Sequence, residues 1–257
     1  MDWTLLATRL ALYIALGYWL GLLVLGPAPV GKFFYRLAGW TAALAAAAAA
    51  ALALAAGWPD APAERVRVLA VLATLLPAPW YASHRPARRR AGVLAALACG
   101  LAALAASAYG PDGLGVLQLL SDACAAAVAG GVCFAMVFGH AYLTVPKLPF
   151  QHLLRVHRFA TLALAARLLL SGLVLALAWP RLHAGTQPLF DPFDWLDLSV
   201  RFLVGLLVPL LFAGMVHSAL RWKSNQSATG ILYASTVLVW IGEAVALHLG
   251  RQWRVPL

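Results

Sequence analysis

The chain has 257 residues, 63% of them apolar and only 11% charged, with a formal net charge of +10. A soluble domain is typically about 25% charged and under about 50% apolar, so too few polar side chains are present to cover a water-exposed globule. These numbers exclude a disordered chain and a disulfide scaffold, and they leave a polytopic membrane protein.

Eight apolar runs approach the roughly 20 residues needed to span a hydrocarbon core: about 4–26, 37–57, 66–83, 91–109, 114–143, 157–179, 199–220 and 228–249. The expected fold is an all-α bundle of eight transmembrane helices in a single domain, 1–257. The first run follows Met-Asp-Trp and lacks a basic leader, so it reads as a retained span. The second and fourth runs are alanine-rich. Pro27, Pro29, Pro77, Pro79, Pro146 and Pro149 cluster near run ends, and Pro209 lies inside the seventh run, where it predicts a kink.

The loops orient the bundle. The odd-numbered loops carry 11 basic residues and no acidic one (Lys32, Arg36, Arg85, Arg88, Arg89, Arg90, Lys147, Arg155, Arg158, Arg221, Lys223). The even loops and termini carry five basic residues (Arg65, Arg67, Arg181, Arg251, Arg254) and seven acidic ones (Asp2, Asp60, Glu64, Asp112, Asp191, Asp194, Asp197). The positive-inside rule places the odd loops in the cytoplasm and both termini on the periplasmic side of a bacterial inner membrane. The basic excess therefore reads as topology and contact with membrane lipids, not as a nucleic-acid surface. The one long loop, 180–198, holds Phe190, Phe193 and Trp195 among three aspartates. It reads as an interfacial segment or as a docking surface for a periplasmic partner.

A faint repeat relates residues 1–112 to 113–257. Gly26-Pro-Ala-Pro with Tyr35-Arg36-Leu37-Ala38 parallels Gly139-His-Ala-Tyr with His157-Arg158-Phe159-Ala160. His84 before Arg88–Arg90 and Gly92 parallels His217 before Arg221, Lys223 and Gly230. Four helices per half would give two parallel repeats about an axis along the membrane normal.

The fifth run carries small residues every fourth position (Ala123, Ala127, Gly131, Ala135, Gly139), a close-packing device. Beside it, Cys133, Met136 and His140 share a face and offer soft ligands suited to copper(I). His140 and His217, both near the inner level, are candidate axial ligands of a b-type haem, with His84 and His157 at similar depth. His183 and His248 lie on the outer side. Five ionisable groups fall within the spans: Arg9, Asp122, Arg167, Arg201 and Glu243. Such groups face the bundle and pair with one another, which predicts an outer cluster with a carboxylate against Arg201 or Arg9. Arg167 lies deepest, with Ser171 one turn on. Asp122 and Glu243 are the candidates for proton handling, as acceptors of a quinol hydroxyl proton. In the last run Tyr233, Thr236, Trp240 and Glu243 share one face, as aromatic walls and a carboxylate for a quinone ring. Ser224 or Asn225 is expected to cap that helix, and Gln226, Ser227 and Thr229 remain as donors for a ligand or for lipid phosphate.

Gly139-His140-Ala-Tyr142-Leu-Thr-x-Pro146 and Gln226-Ser227-Ala-Thr-Gly230-Ile-Leu-Tyr233…Gly242-Glu243 resemble a group of bacterial polytopic membrane proteins of unassigned function. That resemblance covers the second half of the chain and implies that His140, Tyr142, Pro146, Gln226 and Glu243 are family features. Arg158-Phe159-x-Thr161…Ser171-Gly172 is similar to part of the pattern of copper-resistance D-type membrane domains, whose additional helix histidines this chain lacks. The expected function is a membrane subunit of a bacterial electron-transfer complex that binds quinol or b-type haem, or anchors partner subunits. Its cofactor contacts would come from His140, His217, Tyr142, Arg167, Tyr233 and Trp240. Copper handling through Cys133, Met136 and His140 is the first alternative, and a scaffold or assembly subunit without a cofactor is the second.

Overall fold

The computed structural model describes residues 3–109, 114–144, 148–183 and 192–257. Asp2, Asp112, Pro146, Lys147 and the stretch 184–191, with Phe190 and Asp191, lie outside the described residues. The described chain is all-helical: α1 Trp3–Leu25, α2 Gly31–Ala55, α3 Pro62–Ala73, α4 Ala78–Tyr81, α5 Pro86–Ala108, α6 Val116–Thr144, α7 Gln151–His183, α8 Pro192–Ser199, a π segment Val200–Leu207, α9 Val208–Arg221 and α10 Asn225–Trp253. Seven of these helical stretches are long and apolar enough to cross a membrane.

The third run departs from the expected single helix. Its α-helix stops at Ala73, turns through 74–77 and resumes as the single turn of α4. Pro77 and Pro79 lack backbone N–H groups and disfavour helical geometry in the residues before them. The start of α3 meets the end of α5, where Ala63, Glu64 and Arg67 share a cavity with Ala106 and Ser107. At the other end Gly92 of α5 lies against the backbone of Trp80 and Tyr81. The interrupted α3–α4 element thus runs antiparallel to α5 along most of that helix.

The seventh run is also interrupted, but differently. Pro209 has no N–H to give Gly205, and the turns before it widen into the π segment, in which the Val208 N–H reaches the carbonyl of Leu203. Gly205 then sits against Gly242 so closely that a Cβ on either would fall 2.3–2.5 Å from the other's Cα. This contact sets Arg201, one turn earlier, beside Glu243.

At the centre α1 packs along α6. A Cβ on Gly17 would lie 2.1 Å from the Ala126 carbonyl oxygen, and one on Gly130 would lie 2.3 Å from that of Ile14. The small-residue stripe at every fourth position serves other neighbours: Gly131 faces Phe159 on α7, and Gly139 faces Thr229 and Leu232 on α10. Around the central pair the neighbours match. α1 packs with α2 and α5, as α6 does with α7 and α10, and α5 holds α3–α4 as α10 holds the π segment and α9. The α1–α2 and α6–α7 connections are each clamped by a tyrosine. Tyr35 Oη accepts from Ala28 N at 2.7 Å, and Tyr142 Oη donates to the Pro149 carbonyl at 2.6 Å and accepts from Leu153 N at 3.2 Å.

Basic side chains gather at one end, formed by the starts of α2, α5, α7 and α10. Arg89 is the exception there: it is buried, with its guanidinium 3.6 Å from the Tyr35 ring centre. At the start of α10 the expected side-chain cap is not made. Ser224 occupies the cap position, but its hydroxyl bonds Ser227 Oγ at 2.9 Å and no amide of the helix.

Candidate functional site

The α1–α6 crossing aligns residues one and two turns from the paired glycines. Tyr13 precedes Gly17 by one turn, and Asp122 precedes Gly130 by two, so both reach the same level at the end opposite the basic one. Asp122 is buried. Its Oδ1 accepts from Tyr13 Oη and from Gln118 Nε2 (2.8 Å), and its Oδ2 lies 3.3 Å from Arg9 Nη2. Arg9 retains 24% side-chain exposure and so links this carboxylate to solvent or lipid.

These four residues line a half-open cavity of about 390 Å³ between α1, α3, α5, α6 and the end of α10. Its charged lining is Arg9, Arg67, Arg251 and Arg254 against Glu64 and Asp122, two more positive than negative. Three of the five basic residues in the even loops and termini thus surround one cavity. Apolar wall comes from Leu5, Leu6, Leu247 and Pro256, among others. After Arg254, in left-handed conformation (φ 53°), the chain turns back so that Val255 and Leu257 are buried.

One layer further in lies a closed ion cluster. Arg167 donates to both Glu243 oxygens (Nε 3.2 Å, Nη2 2.8 Å), to Ser121 Oγ at 2.6 Å and to the Leu257 carbonyl at 2.7 Å. Arg201 donates to Glu243 Oε1 at 2.8 Å and to Ser171 Oγ at 2.9 Å. All three ionised side chains are at most 2% exposed. Both intramembrane carboxylates are therefore paired, Asp122 with Arg9 and Glu243 with Arg167 and Arg201. Ser121 and Asp122 are adjacent on α6, which joins the two layers. Glu243 does not line the cavity, whereas Asp122 does.

The other candidates are dispersed. His140 is exposed and its ring meets Tyr233, itself exposed, edge-on at 6.5 Å. His217 is exposed on α9. His157 is buried, and its Nε2 donates to the Ala213 carbonyl at 3.0 Å, which ties α7 to α9. Trp240 Nε1 donates to the Ala129 carbonyl at 3.0 Å, fastening α10 to α6, and Thr236 bonds its own helix at Leu232. Tyr233, Trp240 and Glu243 therefore face three environments. Cys133 is buried with Sγ 4.0 Å from Tyr18 Oη, Met136 is half-buried and His140 exposed. Among the described residues no group of three His, Cys, Asp or Glu side chains is gathered to hold a metal ion. Of the expected 180–198 loop, 180–183 continue α7 and 192–198 belong to α8, where Asp194 accepts from Gln252 at 3.1 Å and Asp197 lies 3.7 Å from His248.

Tyr13, Gln118 and the C-terminal turn are the site components that sequence reasoning missed. Gln118 stands one turn before Asp122 on the same face, a spacing that could have found it. Comparison with protein-family models, with curated proteins and with solved structures finds no match to this chain.

Proposed function

We propose that this chain is an integral subunit of a bacterial inner-membrane electron-transfer complex and that the Asp122 cavity is its quinol site. The observation that carries this reading is a buried carboxylate on the wall of a part-apolar cavity at one end of the bundle. An ionised carboxylate offers about four lone-pair positions. Tyr13, Gln118 and Arg9 use three, which leaves Asp122 able to accept a hydroxyl proton from a bound ring. The arginine-rich lining favours the negative charge that develops on the ring oxygen as that proton leaves.

The proposed topology has eight crossings, with α3–α4 as the third and both termini in the periplasm. It is supported by the antiparallel course of α3–α4 along α5 and by the absence of acidic residues from the odd-numbered loops. With native cysteines removed, Arg88→Cys is expected to react with an impermeant thiol reagent only from the cytoplasm and Arg65→Cys only from the periplasm. Labelling of both from one side would overturn the eight-crossing path. We also propose two parallel repeats, supported by the matched neighbours of α1 and α6. Gly17 and Gly130 meet at the centre, separated by 113 residues, the same offset as Gly26 and Gly139.

The quinol reading is tested by titrating a short-chain quinol into the detergent-purified chain and following tryptophan fluorescence. Loss of one charge-assisted hydrogen bond, roughly 1.5–3 kcal/mol, weakens binding about tenfold or more in Asp122→Asn. Asp197→Asn, which does not line the cavity, is expected to bind as the wild type does. Equal affinity in Asp122→Asn would sink the assignment.

A further inference from the structure

At the basic end, a second cavity of about 300 Å³ is bounded by Gln151, Leu154, Arg155 and Arg158. Arg155 and Arg158 stand three residues apart in the first two turns of α7, so both guanidinium groups reach one side of the helix. Both are exposed, and neither makes a hydrogen bond or ion pair among the described residues. Gln151 adds an amide donor at the start of the same helix. No acidic residue stands in any odd-numbered loop to neutralise them.

The same face of α7 continues as hydrocarbon surface. Leu162 and Leu169 follow Arg155 at steps of seven residues, and they are 70% and 74% exposed. Two helical turns are about 11 Å, so the order along the face is cationic pair, then apolar track. That order matches a molecule with an anionic head and an acyl tail, and it exceeds what a free phosphate ion needs. Phe150 (43% exposed) stands beside Gln151, and an exposed aromatic at this level marks the headgroup boundary.

We propose that this cavity seats the phosphate of an anionic phospholipid, with Arg155 and Arg158 on the phosphate oxygens and an acyl chain along Leu162 and Leu169. The proposal rests on the reading that the basic end faces the cytoplasmic leaflet, and it is independent of the quinol site. Two basic residues near a membrane surface together change lipid affinity by about thirtyfold.

The test is native mass spectrometry of the delipidated full chain in detergent, titrated with cardiolipin, phosphatidylglycerol or phosphatidylcholine. The expected result is retention of one anionic lipid, lost about thirtyfold in the Arg155→Gln/Arg158→Gln double variant. The matched pair Arg88→Gln/Arg90→Gln removes the same charge elsewhere on that end but no contact to the seated phosphate, and it should lose clearly less than the Arg155/Arg158 pair. Unchanged thermal unfolding of both double variants shows that the exposed positions leave the fold intact. Equal loss in the two pairs would reduce the effect to general surface charge and overturn the site. Equal retention of phosphatidylcholine, or displacement by millimolar inorganic phosphate, would overturn it too.

Discussion

Glu243→Gln is expected to destabilise the bundle by about 3–5 kcal/mol, the range for removing one partner of a buried ion pair. Volume is conserved, so packing contributes little. What changes is charge: Arg167 and Arg201 keep theirs, both guanidinium groups are at most 2% exposed, and three hydrogen bonds to the carboxylate are weakened or reversed. The serine hydroxyls that also accept from the arginines carry no negative charge to replace it. The measurement is the free energy of unfolding in mixed detergent micelles, and a loss under about 1 kcal/mol would show that the cluster is hydrated or otherwise compensated.

A triple variant separates structure from function. Arg167→Met, Arg201→Met and Glu243→Leu together remove every charge of the cluster and fill similar space. Such replacements are often neutral or stabilising, so the triple variant should recover most of what Glu243→Gln loses. If quinol binding at Asp122 survives in it, the cluster serves to fix the register of α6, α7, the π segment and α10. Loss of binding in a stable triple variant would assign the cluster to the site itself, transmitted through Ser121 to its neighbour Asp122.

That cluster shows what a single sequence encodes. Charge inside an apolar run is costly enough that pairing is expected from energetics alone; the expectation of a carboxylate against Arg201 or Arg9 is met, and the structure supplies which goes with which, Arg9 with Asp122 and Arg201 with Glu243. Arg167 was recognisable as the deepest charge, but its bidentate hold on Glu243 depends on how α7 is turned. The apolar runs were legible because hydrocarbon thickness sets their length. The break at 74–77 was signalled by Pro77 and Pro79, yet prolines near a run end equally suit a terminus, so spacing alone did not decide it. Tyr13 and the turn at Arg254 were invisible for a different reason. Each gains its role from a neighbour ninety or more residues away. The histidines misdirect in the same way: His140, His157 and His217 share a depth, and only packing assigns His157 to the interior and the other two to the surface.

Gly130→Val is expected to cost about 3 kcal/mol or more, beyond the usual range for overpacking. The obstacle is backbone: the new Cβ would fall 2.3 Å from the Ile14 carbonyl oxygen and 2.5 Å from the Gly17 Cα, and neither can rotate away as a side chain would. Relief requires α1 and α6 to separate along their shared length. Separation would also pull Tyr13 and Arg9 from Asp122, so ligand binding at the cavity should fall together with stability. Gly17→Val should behave alike, because its Cβ would fall 2.1 Å from the Ala126 carbonyl oxygen. Gly172→Ala supplies the comparison: no atom lies within 4 Å of its added Cβ, so its unfolding free energy should stay within about 0.5 kcal/mol of wild type. A Gly130→Val chain as stable as Gly172→Ala would mean that α1 and α6 do not cross at these glycines. In that event Asp122 would lose its α1 partners, and the cavity built on them would fall with the crossing.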